Sequence, residues 1–147
     1  MNPALILFPL GLGLGMILTI HVSMNAQMSS LMNSYFAANA VFWTVGALTA
    51  WITAAMTSSL GKLSGVKDVP VWLVTSGIIG VAAAICMSRL IVKMGTARTT
   101  LLAILGQLAI SMILEHYGLL GSLQRAVSMK SVLGLGIAAI GCVLVVL

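Results

Sequence analysis

The sequence predicts an all-α membrane protein with five transmembrane helices. Two observations predict it. Of 147 residues, 61% are hydrophobic and only 6% are charged, where an ordinary soluble domain is about a quarter charged. Five runs are also long and apolar enough to cross about 30 Å of hydrocarbon, which takes about 20 residues at ~1.5 Å rise each. With a mean hydropathy of +1.18, little chain is left for any extramembrane domain, and the whole of 1–147 reads as a single transmembrane domain.

The first run, 5–23, carries Gly11, Gly15 and Thr19 at four-residue spacing, small residues at the interval that lets a second helix approach closely. No Lys or Arg precedes it and no small-x-small cleavage site follows it, so it reads as a retained helix, not a signal peptide. It is expected to end in His21-Val22-Ser23-Met24-Asn25, with His21 and Asn25 on one face and His21 a candidate proton-titrating group. The second run, 35–57, holds Asn39 and Trp43 one turn apart, together with Gly46 and Trp51. An amide beside an indole suits a substrate pocket, whereas Trp51 suits an interfacial anchor. Between this run and the next, 58–70 contains Gly61, Lys62, Gly65, Lys67 and Asp68 and reads as an aqueous loop. The third run, 71–91, ends near Arg89 and Lys93, long basic side chains of the kind that reach for lipid phosphates.

The fourth run, 99–117, carries the polar signal of the chain. Gln107, Ser111 and Glu115 recur every fourth residue and so share one face of a helix. Hydrocarbon offers such a stripe no partner, so it must face protein, water or a ligand; bundle packing would serve as well as substrate binding. Glu115 is one of only two acidic residues. After the glycine-punctuated turn at Gly118 and Gly121, the loop to Lys130 leads into a short fifth run, 132–147. Its Gly134, Gly136, Ala138, Ala139 and Gly141 have the texture of a helix-packing surface.

The net charge of +5 comes from seven scattered Lys and Arg. In a chain this apolar they are topology signals and lipid contacts, and nucleic acid is not an expected partner. Five spans place Lys62, Lys67, Arg125 and Lys130 on one side and Arg89, Lys93 and Arg98 on the other. Such a balance barely specifies an orientation, as expected of a chain that inserts both ways or pairs with an oppositely oriented partner. Cys86 and Cys142 lie in separate apolar runs and read as small core residues, with no disulfide, metal or cofactor implied. No nucleophile elbow, P-loop, paired carboxylates or metal-spaced cluster points to an enzyme. Glu115 and His116, as helix neighbours, point about 100° apart and form no ready dyad.

The block Gly106-Gln107 … Glu115-His116-Tyr117-Gly118-Leu119-Leu120-Gly121, followed by Leu133-Gly134-Leu135-Gly136-Ile137, resembles the YdcZ-type family of the drug/metabolite transporter superfamily. Asn25-Ala26 with Met28 or Leu31, and Gly46 in the second helix, match it further. The resemblance spans essentially the whole chain. It implies a multi-pass protein of the bacterial inner membrane, a five-helix half-transporter that would complete an inverted-repeat, ten-helix assembly as an antiparallel dimer. The partner would be a second copy or a paired paralogue. In such an assembly the substrate site lies near the midplane. Asn25, Asn39, Trp43, Gln107 and Ser111 would contact a small metabolite or organic ion, and Glu115 and His21 would couple ions. Gly11, Gly15, Gly134, Ala138 and Gly141 would pack helices. The chain departs from the family pattern at Gln27 and Met28 after Asn-Ala, and at Arg89 and Lys93. Unlike the related small multidrug exporters, it has no acidic residue in its first helix, so their proton-for-cation exchange does not transfer. The alternative expectation is a non-transporting structural or accessory subunit of a heteromeric membrane complex; a channel lacks a visible charge ring or carbonyl filter.

Overall fold

A computed structural model describes residues 4–147, with side chains from Ile6 onward, and among them every regular element is helical. The helices are α1 (Ala4–Leu31), α2 (Tyr35–Met56), α3 (Val71–Val74), α4 (Ser76–Met94), α5 (Thr96–Tyr117) and α6 (Met129–Val146), with 3₁₀ segments at Leu60–Asp68 and Leu119–Gly121. Five stretches are long and apolar enough to span a membrane: Ile6–Leu31, Tyr35–Met56, Val71–Met94, Thr96–Tyr117 and Met129–Val146. At most 11% of the residues in any of their most apolar windows are buried within the chain. Lipid or a partner must therefore cover the rest.

The main departure from the sequence reading is the length of α1. It continues about two turns beyond Ser23, so His21 and Asn25 sit inside the helix and not at its end. No Gly or Pro interrupts 23–31, and the hydroxyls there bond within the helix: Ser23 Oγ donates to the Thr19 carbonyl at 2.7 Å and Ser29 Oγ to that of Asn25 at 2.9 Å. The same device recurs at Thr19, Thr44, Thr49, Thr53, Thr57, Ser88 and Thr99, each donating to the carbonyl four residues before it. A hydroxyl so engaged costs an apolar-facing helix little, because it presents no unpaired donor.

Contacts group the chain into two compact units, Met1–Lys93 and Met94–Leu147. In the first, α1 and α2 form a hairpin closed by a Schellman turn. Asn33 takes the left-handed position (φ 49°), its N–H bonds the Ser30 carbonyl, and the Ser34 N–H bonds that of Ser29. Asn is the side chain besides Gly that tolerates this backbone best. Ser34 then caps α2, accepting the Ala37 N–H at 3.2 Å. Small residues line the hairpin seam: Ala26, Ser29 and Ala38 are buried beside Asn25 and Asn39. The third span is interrupted at Thr75, whose hydroxyl bonds the Trp72 carbonyl at 2.6 Å.

In the second unit α5 packs on α6. Gly118, left-handed at φ 63°, caps α5, and the Arg125 N–H returns to the Glu115 carbonyl at 2.9 Å, folding the loop back on the helix end. Ser128 starts α6 by accepting the Ser131 N–H at 3.1 Å. This cap is why the helix begins at Met129, three residues before the apolar run.

Candidate functional site

In the first unit, three of the residues read as polar or titratable site candidates meet across the α1–α2 hairpin. Asn39 Nδ2 donates to the carbonyl of Tyr35 at 2.9 Å, which leaves Asn39 Oδ1 as an acceptor. Asn25 Nδ2 donates to that oxygen at 3.2 Å. Both amides are nearly wholly buried, at 3% and 2% exposure. The chain of donors fixes their orientations and leaves Asn25 Oδ1 buried without a partner. The third candidate, His21, stands one turn before Asn25, with its ring 4.6 Å from that of Phe42.

Asn25 and His21 line a groove of about 730 Å³, a volume in the range of small-molecule sites. Met24, Gln27, Met28 and Leu31 of α1 and Val41, Phe42, Trp43, Val45, Gly46 and Thr49 of α2 complete it. The walls are mostly apolar and aromatic. Phe42 and Trp43 meet edge to face at 5.7 Å. On its other flank Trp43 rests on α4 at Gly80, where a Cβ would lie 3.6 Å from Cη2 of the indole. No carboxylate lines the groove, and His21 is the one titratable side chain in its wall.

Two features of this unit escaped the sequence reading. Gly80 is the seat of Trp43; its signal was the small-residue series Gly80, Ala84, Ser88, at the spacing already recognised in α1. Arg89 places its guanidinium carbon 5.4 Å from the Tyr35 ring centroid and 5.3 Å from that of Phe36. These cation–π contacts hold a charge that aqueous snorkelling alone would leave free.

The second unit carries the polar stripe. Gln107, Ser111 and Glu115 are exposed along α5, and among the described residues their side chains have no hydrogen-bond or ion-pair partner. They do not line a cavity of about 360 Å³ in that unit, walled by Ala109, Met112, Ile113, His116, Tyr117, Val127 and Leu135. His116 faces this cavity, and its Nδ1 accepts the Val127 N–H at 3.3 Å. Glu115 and His116 thus lie in different surroundings, as their adjacency in a helix requires.

The small residues expected to pack helices lie open. A Cβ at Gly11, Gly15, Gly134 or Gly141 would meet nothing within 4 Å, and Ala138 is exposed. Neither cysteine is oxidised: Cys86 is exposed and Cys142 buried. Among the described residues no group of His, Cys, Asp or Glu is arranged to hold a metal ion.

Compared with known proteins, residues 6–144 match the model of the family described as "Putative inner membrane exporter, YdcZ". No curated protein and no solved structure matches the chain significantly.

Proposed function

Since this chain belongs to the YdcZ-type family of multi-pass inner-membrane proteins, a family of transporters and not of enzymes, we propose that it is one half of a small-molecule transporter. A second chain of opposite orientation, a copy or a paired paralogue, completes the passage. The observation that carries this reading is the α1–α2 groove. It joins an aromatic wall to a buried amide pair. A transporter must desolvate its cargo reversibly, and a mostly apolar site with one or two oriented polar groups does so without trapping it.

In this reading Asn25, Asn39 and Trp43 form the substrate wall of one half. The exposed stripe of Gln107 and Ser111 offers further polar surface to the substrate, and the partner shields it from lipid. Glu115 stands at one mouth and, with His21, couples transport to protons. The open glycines of α1 and α6 receive the partner's helices, since without side chains they let backbones approach closely.

The test is flux. The protein, purified alone or with its paralogue where that is the second half, is expected in proteoliposomes to give saturable, counterflow-competent uptake of its cargo. Filling the groove by Gly46→Leu is expected to remove that uptake, because Gly46 lies in the groove wall and a side chain there meets no other obstacle. The same open glycine faces also favour a second reading, an accessory subunit that only assembles with a partner. Reconstitution alone and together with the partner separates the two: an accessory subunit gives no flux and no saturable binding by itself.

A further inference from the structure

We infer that the groove selects small planar aromatic molecules carrying a neutral N–H or O–H donor, and that Asn25 Oδ1 is the acceptor they reach. The inference rests on the reading of this groove as the substrate site and adds the chemistry of the cargo. Four observations lead to it.

First, Asn25 Oδ1 is a buried acceptor with no hydrogen-bond partner among the described residues. Flipping the amide does not relieve it, because Nδ2 is held by Asn39 Oδ1 and Asn39 is in turn oriented by its bond to the Tyr35 carbonyl. A buried carbonyl left in this condition gains a full hydrogen bond when a donor arrives, with no competing bond to break. Second, the hydroxyl in the groove wall is also acceptor-only: Thr49 Oγ1 spends its proton on the Val45 carbonyl at 2.9 Å. These two wall oxygens therefore ask for a donor from the ligand. Third, no carboxylate lines the groove to neutralise a cation, and no Lys or Arg offers an anion a permanent countercharge; His21, the one titratable side chain there, does so only with a proton bound. A neutral ligand avoids losing its hydration without a countercharge. Fourth, the rings of His21, Phe42 and Trp43 offer π faces and edges in close succession, which an aromatic guest matches in shape and polarity. The oxygen is buried, and its neighbours in sequence on α1 include Met24 and Met28. Both line the groove, and unbranched thioethers shift with little cost.

The experiment uses the full chain in lipid nanodiscs and two matched pairs of probes, indole against 1-methylindole and phenol against anisole, read by saturable binding in equilibrium dialysis. Each pair differs in the donor proton, and methylation raises lipophilicity, so lipid partitioning would favour the wrong member. Wild-type protein is expected to bind the donor-bearing member about ten-fold more tightly, as a neutral hydrogen bond to an otherwise unsatisfied buried group implies. Gly46→Leu is expected to abolish binding of both pairs, and Asn25→Leu, where it folds, to bring the ratio within each pair close to one. Equal binding within the pairs of wild type overturns the proposal, as does absence of saturable binding. So does a preference for tetraphenylphosphonium, a donor-free aromatic cation, or indole binding that survives Gly46→Leu. Because binding and flux are measured separately, selective binding without flux would sustain this inference while removing the transport reading. Flux of another cargo without donor selectivity would do the reverse.

Discussion

Asn25 and Asn39 set the terms at the scale of single residues. Two primary amides buried between apolar helices are tied by a chain of donors, from Asn25 to Asn39 and from Asn39 to the Tyr35 carbonyl, that leaves Asn25 Oδ1 unpaired. Removing one partner strands the other. Asn39→Leu is expected to leave Asn25 Nδ2 without an acceptor, whereas the double variant with Asn25→Leu removes the mismatch. Chemical unfolding in micelles checks the pair by a double-mutant cycle. The expected coupling is about 0.6 kcal/mol and below about 1.7 kcal/mol, the range for hydrogen bonds between membrane helices. Glu115 gives the second residue-scale prediction. It is the one acidic side chain within a membrane-spanning helix and has no partner in the chain among the described residues. If it couples protons to transport, Glu115→Gln abolishes the pH dependence of uptake by vesicles while leaving substrate exchange at equilibrium. Pronounced pH dependence in that variant removes Glu115 from the mechanism.

Among the elements, the helix ends show what can and cannot be read from one sequence. The α5 terminus was legible: Tyr117-Gly118 stops the helix because only glycine takes φ 63° without strain. Gly118→Ala meets two obstacles there, the left-handed backbone and the Gln124 Cβ 3.3 Å away. It is expected to destabilise the protein by about 1–2 kcal/mol and to speed hydrogen exchange at the Arg125 amide, which mass spectrometry reads. The end of α1 was not legible. Ser23, Asn25 and Ser29 look like headgroup-level residues, and nothing local says that their polar groups are absorbed by carbonyls one turn back and by an amide of α2. That amide's own presence was readable, since an Asn inside an apolar run needs a partner; which partner it takes is decided by how the hairpin closes. Gly80 was missed for the same reason. Its small-residue series marks a packing seat, but that the occupant is Trp43, 37 positions away in sequence, no local pattern encodes.

Taken whole, the molecule is a set of spans that cover one another sparsely, held in two compact units. Most large apolar side chains along the spans are turned outward, and the chain has seven basic residues to two acidic ones. Their distribution, four on one side and three on the other, leaves orientation nearly unbiased by the positive-inside rule. Reporter fusions to the C-terminus are therefore expected to signal from both sides of the membrane when the chain is expressed alone, if two copies form the unit. A single signal means that a paralogue supplies the other orientation. Adding two lysines to the loop containing Lys62 and Lys67 is expected to lock one topology. Transport by the homodimer would then vanish and return on co-expression of a variant locked the other way.

An odd number of crossings has a consequence for covalent linkage. Joined tail to head by a short hydrophilic tether, two copies of a five-span segment must enter the bilayer as mirror opposites, because the second begins on the side where the first stopped. An even-numbered segment would repeat itself upright and would need an additional crossing to turn over. A single-gene tandem of this sequence thus enforces inversion by parity alone, and its function, or lack of it, reports on the architecture without any label.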